Sequence, residues 1–284
     1  MRIARDWQDY SVIATGDGYK LERWKDVYLL RPDPQAIWKA QRDLFSYPKL
    51  NAVYRRSDKG GGSWEYRRPM PESWIVSYKD LRFSVKPMGF KHTGLFPEQA
   101  VNWDRMRELI SAAGRPIRVL NLFAYTGGAT VACAKAGAEV THVDAAKGMV
   151  ERAGENVRLS EVDGKVRYIV DDCKKFVQRE IRRGNRYDAI IMDPPSYGRG
   201  PGGEIWKIES ELYDFVSLCA GVLSDHPLFF LINSYTTGLQ SMVLSNILTL
   251  LFGGRGKVEA YEVGIQTEEG IPLPCGAGGM FIYE

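Results

Sequence analysis

The sequence is poor in the residue types that most often advertise a chemistry. Three histidines (His92, His142, His226) and four cysteines (Cys133, Cys173, Cys219, Cys275) are scattered over 284 residues, with no CxxC pair and no cluster. That spacing argues against a structural zinc site, and no metal is expected. No apolar run approaches the roughly 20 residues that a bilayer span requires, so no membrane partner is expected either. The opening residues, MRIARDWQDYSV, hold no apolar signal core, and the expected location is cytoplasmic. In that reducing setting the cysteines read as small buried apolar groups. The net charge of +3 is too small to argue for nucleic acid by itself, so local patches must carry that argument.

What is present is a strong alternation of element types. From Pro116 onward, strand-like apolar runs (IRVLNLF, AEVTHVD, KVRYIVD, DAIIMD, LFFLIN, KVEAYEVG, GMFIYE) alternate with helix-length amphipathic segments. Such alternation predicts a parallel sheet covered by helices. The last two runs are joined by IQTEEGIPLPCGAG, which reads as a loop, so the seventh strand is expected to return antiparallel. The expected fold is therefore α/β, with a seven-stranded Rossmann-like sheet. Before Pro116 the texture changes to short aromatic and charged segments (YKLERW, VYLLR, SWIVSY, LRFSVK) broken by Asp-Gly, Pro and KGGGS turns. This predicts a small β-rich region over residues 1–82 and an α/β domain over 83–284, with a helix from about Pro97 to Ala113 between the two textures.

Chemistry-bearing residues fall at the carboxyl ends of successive strands. The first strand runs into the turn carrying Gly127 and Gly128, followed by a small-residue helix. Glycines there let a ligand approach the backbone, and the helix amides favour an anion. The turn is not GxGxxG, so the dinucleotide fingerprint is absent. The second strand ends in Asp144, which can accept from both ribose hydroxyls or cap the helix near Lys147. The third ends in VDDC, where Asp172, preferred over Asp171, can accept from an adenine amine or act as an N-cap. The fourth ends in Asp193-Pro194-Pro195. All four lie at the one edge where open α/β sheets bind ligands.

In combination, NLFAYTGG, VDAAKGMVERAGEN, DPPSYGRG and the upstream FKHTGLFPEQAVNW resemble class I S-adenosylmethionine-dependent methyltransferases. More narrowly, they resemble the bacterial family that methylates large-subunit ribosomal RNA to 5-methylcytosine or 7-methylguanine. The resemblance covers about Phe83 to Glu284 and implies S-adenosylmethionine as cofactor. It places Phe123, Ala124, Thr126, Gly127 and Gly128 around the methionine moiety, Asp144 on the ribose, and Asp172 with Cys173 at the adenine edge. By the same resemblance, Lys91, Phe96 and Gln99 would fold over the cofactor, with Asp193 beside it.

Methyl transfer from a sulfonium is an in-line displacement, so the protein chiefly has to position the nucleophile. At an exocyclic amine, the Asp193 carboxylate and the Pro194 carbonyl can accept the two hydrogens, and Tyr197 can stack on a flipped base. Ser196, inserted between the prolines and Tyr197, departs from the amine-methylating motif. Carbon-5 of cytosine needs a thiolate, which family members place after the fifth strand; here FLINSYTTG offers Ser234, a poor nucleophile. Cys275, in PLPCGAGG, keeps that alternative open. Guanine N7 needs neither base nor thiolate. Nitrogen methylation is expected first, with a small-molecule or protein acceptor as the alternative class.

Basic residues interleaved with aromatics occur in YRRSDKGGGSWEYRRP. Arg55, Arg56, Arg67 and Arg68, with Tyr197 and Arg199 of the DPPSYGRG run, are the candidate contacts to RNA, ribosomal RNA first. The bland reading of the same stretch is a hairpin edge protected by charge. The glycines after Tyr197 are expected to form a lip over the substrate. A homodimer is left open.

Overall fold

The computed structural model describes residues 1–57, 61–199 and 205–284. The chain divides into two compact units, one of Arg2–Val101 with Gly264–Cys275, the other of Asn102–Val263 with Gly276–Glu284 and Met1. The cut expected between residues 82 and 83 falls inside a strand, Leu81–Val85. Leu81, Phe83 and Val85 on that strand are all fully buried, so the change in sequence texture is not a change of core.

In the first unit, β1 (Arg2–Ala4) precedes a five-stranded sheet. Its strands are β2 (Tyr10–Gly16), β3 (Tyr19–Trp24), β4 (Val27–Pro32), β5 (Ala52–Arg56) and β6 (Gly62–Tyr66), in that spatial order. Neighbours pair antiparallel except β4 with β5. The β2–β3 turn is Asp17-Gly18 with φ of 49° and 79°, the two positive angles that a tight two-residue hairpin demands and that Asp-Gly tolerates. A separate hairpin joins β7 (Trp74–Tyr78) to β8 (Leu81–Val85). Apolar residues of the sheet, among them Leu21, Leu30 and Val53, pack with Leu44 and Leu50 from the β4–β5 connection.

This unit also buries charge. Arg31 meets Glu22 through Nε–Oε2 at 2.5 Å and Nη2–Oε1 at 2.7 Å, and the Tyr10 hydroxyl donates to Glu22 at 2.6 Å. Burial alone would raise the Glu22 pKa, but Arg31 and Lys20 beside it pull it down to about 2. Arg31 Nη1 donates onward to the Lys91 carbonyl at 2.9 Å, tying the irregular segment after β8 to the sheet.

The second unit follows the order read from the sequence. It opens on α1 (Ala100–Ala112), preceded by a short 3-10 turn at Pro97–Gln99, and continues through β9 (Arg118–Leu122), α2 (Gly128–Lys135), β10 (Glu139–Asp144), α3 (Lys147–Leu159), β11 (Val166–Val170), α4 (Cys173–Arg182) and β12 (Ala189–Met192). A short hairpin of β13 (Tyr197–Arg199) and β14 (Ile205–Lys207) comes next, then α5 (Ile208–Ala220), β15 (Phe229–Ser234), α6 (Ser241–Phe252), β16 (Gly256–Gln266) and β17 (Pro272–Tyr283). Within this unit the main sheet has the order β16-β17-β15-β12-β9-β10-β11, the expected seven strands. The pairs from β15 through β12, β9 and β10 to β11 are parallel, and β17 is antiparallel to β15.

Every residue of β12 and β15 is buried, as central strands covered on both faces must be. Leu122, Met192 and Ile232 form a common core with Phe176 of α4, Phe215 of α5 and Leu248 of α6. The last two strands run longer than the apolar runs predicted, because Pro272, Pro274 and the glycines read as loop residues yet lie within β17. A glycine there is required by packing: a Cβ at Gly279 would sit 2.8 Å from Leu244 Cβ of α6. Among the described residues no helix is long and apolar enough to cross a membrane.

Candidate active site

Strand order reverses at β9, which has β10 on one side and β12 on the other, and the carboxyl ends of these strands mark the ligand edge of an open α/β sheet. The chain leaves β9 through a turn in which Phe123, Tyr125 and Gly127 have φ of 53°, 51° and 83°. Left-handed backbone costs a non-glycine residue about 1–2 kcal/mol, so Phe123 and Tyr125 have to be held there. Side chains and backbone from neighbouring elements supply the hold. Phe123 N donates to Cys173 Sγ (3.3 Å), Ala124 N to the Val143 carbonyl (3.1 Å) and Tyr125 N to Asp144 Oδ2 (2.8 Å), while Asn156 Nδ2 donates to the Thr126 carbonyl (2.8 Å). At Gly127 a Cβ would stand 2.8 Å from Ala153 Cβ, so glycine is demanded by both angle and space.

Beneath the turn lies a relay that the sequence reading missed. Asn121 of β9 and His142 of β10 are register partners, both buried, with Thr130 of α2 between them. Asn121 Nδ2 donates to Thr130 Oγ1 at 2.9 Å, so the Thr130 hydrogen must point at His142 Nδ1, also 2.9 Å away. The remaining imidazole proton is thereby placed on the buried Nε2. Burial lowers the His142 pKa to about 4, the Tyr125 carbonyl of the turn opposing the fall, so the ring is neutral near pH 7. The available signal was a polar residue close to the end of each of two buried strands, Asn121 in β9 and His142 in β10.

Asp144, half-buried at the tip of β10, accepts Tyr125 N on one oxygen and Ala146 N (2.9 Å) on the other. A carboxylate has about four acceptor positions, so half of its capacity remains for hydroxyl donors. At the end of β11 the two acids part roles. Asp171 is ion-paired with Arg179, and Asp172 caps α4 by accepting Lys175 N at 2.8 Å through one oxygen. Cys173 is buried, which pushes its thiol well above the ordinary range, so it acts as a neutral tie to the turn.

The Asp-Pro-Pro segment leaves β12 with Asp193 half-buried and Pro194 buried. Three neighbours fix it. Trp206 Nε1 of β14 donates to the Pro195 carbonyl (2.6 Å), Ile208 N to the Ser196 carbonyl (3.1 Å), and Ser196 Oγ meets Thr236 Oγ1 (2.7 Å). Trp206 also closes an aromatic trio with Phe123 and Phe215, at centroid separations of 5.6 to 5.7 Å, coupling this loop to the turn after β9. Tyr197 is 50% exposed and pairs across the hairpin with Lys207. Ser234, at the position where a thiolate would stand, is buried and accepts from Thr236 N at 3.2 Å.

The remaining candidate residues belong to the first unit. Lys91 is half-buried, and burial, reinforced by Lys20, lowers its pKa to about 8; Phe96 and Gln99 flank Pro97 and Glu98. Cys275 lies near the tip connecting β16 and β17, and burial, with Glu98 adding to it, pushes its thiol up. Arg55 and Arg67 share Glu65 (3.0 and 2.9 Å), whose carboxyl they hold below its ordinary range, while Arg56 and Arg68 are exposed. Residues 58–60 of the basic stretch and 200–203 of the glycine lip lie outside the described residues, as does the side chain of Arg199.

A constrained turn after the first strand, acids after the second and third, and Asp-Pro-Pro after the fourth define an α/β enzyme built around an adenosine-bearing cofactor. Residues 37–205 match the family described as S-adenosylmethionine-dependent methyltransferase. A solved S-adenosylmethionine-dependent methyltransferase from Agrobacterium tumefaciens is similar with a TM-score of 0.91 and 33% identity, covering 98% of this chain and 91% of its own. Ribosomal RNA large subunit methyltransferase K of Neisseria meningitidis serogroup B is 26% identical over 244 residues, 82% of this chain and 67% of that protein. Methyltransferase K/L of Allochromatium vinosum is 36% identical over 145 residues, 50% of this chain and 19% of its own length. The chain thus spans from about a fifth to two thirds of these two curated relatives. It belongs to the S-adenosylmethionine-dependent methyltransferases, and S-adenosylmethionine is its cofactor.

Proposed function

We propose that this enzyme methylates a base of RNA, in the large ribosomal subunit, at a nitrogen atom. The observation that carries the nitrogen reading is the pairing of a fixed Asp193-Pro194 at the end of β12 with the lack of a thiolate candidate. Ser234 is buried and hydrogen-bonded, and the Cys275 thiol is pushed up by burial. The RNA reading draws its support from the relatives' acceptors and from the basic, aromatic-bearing edge around Arg55, Arg56, Arg67 and Arg68.

In this reading the Phe123–Gly128 turn receives the methionine moiety, Asp144 the ribose hydroxyls, and Asp172 with Cys173 the adenine edge, with Lys91, Phe96 and Gln99 as further cofactor contacts. The cofactor, when bound, supplies a sulfonium methyl group to an electron pair of the acceptor. Trp206, Thr236 and Ile208 hold the Asp193-Pro194 loop so that its acceptors orient the nucleophile rather than ionise it, and Tyr197 offers a stacking face. A 7-methylguanine product needs positioning alone, because ring N7 of guanine already carries an available electron pair.

The test is incubation of the protein with labelled S-adenosylmethionine and large-subunit RNA from a strain lacking this gene, followed by nucleoside analysis. Label on a base nitrogen is expected. Label on cytosine carbon-5 would overturn the nitrogen reading, and label only in the protein or small-molecule fraction would overturn the RNA reading.

A further inference from the structure

A groove of about 740 Å³ lies in the first unit, between the segment that follows β6 and the segment that follows β8. Tyr66, Arg67, Arg68, Met70 and Lys86 line it, with Pro69, Pro71 and Pro87 stiffening the walls. That volume is within the ~300–1,000 Å³ range of pockets that take small ligands. Three cations face one lining carboxylate, Glu72.

The wall is built rather than incidental. The backbone carbonyl of Asn51 accepts Arg67 N (2.8 Å) and Arg68 N (3.2 Å), while its buried side chain donates to the Pro69 carbonyl (3.0 Å) and accepts from Tyr28 N (2.8 Å). Both guanidinium groups are pinned: Arg67 by Nη1 to the Phe45 carbonyl (2.5 Å) and by Nε to Glu65 (2.9 Å), and Arg68 by Nη1 to the Pro48 carbonyl (2.6 Å). Pinning removes the side-chain entropy that binding would otherwise cost, and a guanidinium has five donors, so several on each fork stay available for a phosphate. At the same groove Tyr66 is 62% exposed, which leaves much of its aromatic ring open to solvent.

We propose that this groove is a subsite for one unpaired nucleotide of the RNA, its phosphate on the Arg67, Arg68 and Lys86 side and its base stacked on Tyr66. The assignment rests on the RNA reading above and names a part of the chain remote in sequence from the Asp-Pro-Pro loop. A single-stranded segment fits better than a duplex, because only an unstacked base can occupy an aromatic face.

The test is fluorescence anisotropy of the full chain with a short, labelled, single-stranded oligoribonucleotide across a salt series. Tyr66→Ala should weaken binding roughly 5- to 150-fold with the salt slope unchanged. Lys86→Ala should weaken binding and flatten the salt slope by about one unit. Circular dichroism melts should match the parent protein for both. If both variants bind as the parent does while the parent methylates RNA, the groove assignment is wrong and the RNA reading stands. If the parent neither binds the oligoribonucleotide nor methylates RNA, the reading beneath it fails. Equal loss on polyglutamate but not on the oligoribonucleotide would make the groove an acidic-peptide site and overturn the proposal.

Discussion

The two units bury polar groups in opposite ways. Beneath the turn after β9 the buried relay is neutral: Asn121, Thr130 and His142 pass hydrogen bonds without a net charge. In the β-rich unit the buried cluster is ionic, with Glu22 gripped by Arg31, Tyr10 and Lys20. A neutral relay is inexpensive to bury and holds a backbone shape. An ion pair pays a large desolvation cost and then fails badly when one partner is removed. The turn after β9 is thus set by soft, tunable contacts, and the segment carrying Lys91 by a stiff one.

The contrast can be broken at its strongest point first. Glu22→Gln strands Arg31 and should cost about 3–5 kcal/mol, seen as early melting of the β-rich unit. Denaturant melts followed by tryptophan fluorescence check it, since Trp24 is buried in that unit 5.5 Å from Arg31. A loss below that of an exposed pair such as Lys39–Asp17 would mean the cluster is not ionic in solution.

The neutral relay predicts a pH response instead. His142 titrates near 6.5 in the unfolded chain and near 4 in the folded one, so its contribution to stability is complete above pH 6.5 and is lost as pH falls toward 4. The span amounts to about 3 kcal/mol at most. His92, in the β-rich unit, is likewise held near 4, by burial and then by Arg31 and Lys91, so each should contribute separately. Melting temperatures of His142→Asn and His92→Asn between pH 4 and 7 check this. Each substitution should flatten part of the slope, and an unchanged slope in both would contradict it.

A smaller effect is expected at the turn itself. Gly127→Ala puts a methyl group against Ala153 at an unfavourable φ and should cost about 1–3 kcal/mol of stability. Its S-adenosylmethionine affinity, measured by calorimetry, should fall along with it, because Phe123 to Gly128 move as one turn. Retained affinity would show that the turn's shape matters less than its neighbours.

Much of the second unit was legible because its signals are local. IRVLNLF and DAIIMD are apolar runs that end in a turn or an acid, and period and punctuation alone place them. The turn's neighbours were less legible. Asn121 and His142 meet only through the parallel register of β9 and β10, which no window of either strand contains. Trp206 reaches Pro195 by folding back from β14, 11 residues along the chain. Gly264–Cys275 joins the first unit through contacts such as Glu269 with Thr15, which span more than 250 residues. Asp172 shows a different limit: the cap and ligand readings invoke the same carboxylate, and its geometry serves the cap with one oxygen while leaving the other for a second task.

The proposed division of labour gives cofactor binding and methyl transfer to different strand ends of one sheet. The direct measurement is a paired one on Asp144→Ala and Asp193→Ala: S-adenosylmethionine affinity by calorimetry beside the single-turnover rate on RNA at saturating cofactor. Asp144→Ala should lose affinity, through both its hydroxyl acceptors and its tie to Tyr125. Asp193→Ala should keep affinity and lose roughly 10²-fold or more in rate, as expected when a nucleophile is no longer positioned. If Asp193→Ala instead turned over normally, or lost cofactor binding as Asp144→Ala does, that division of labour would be wrong.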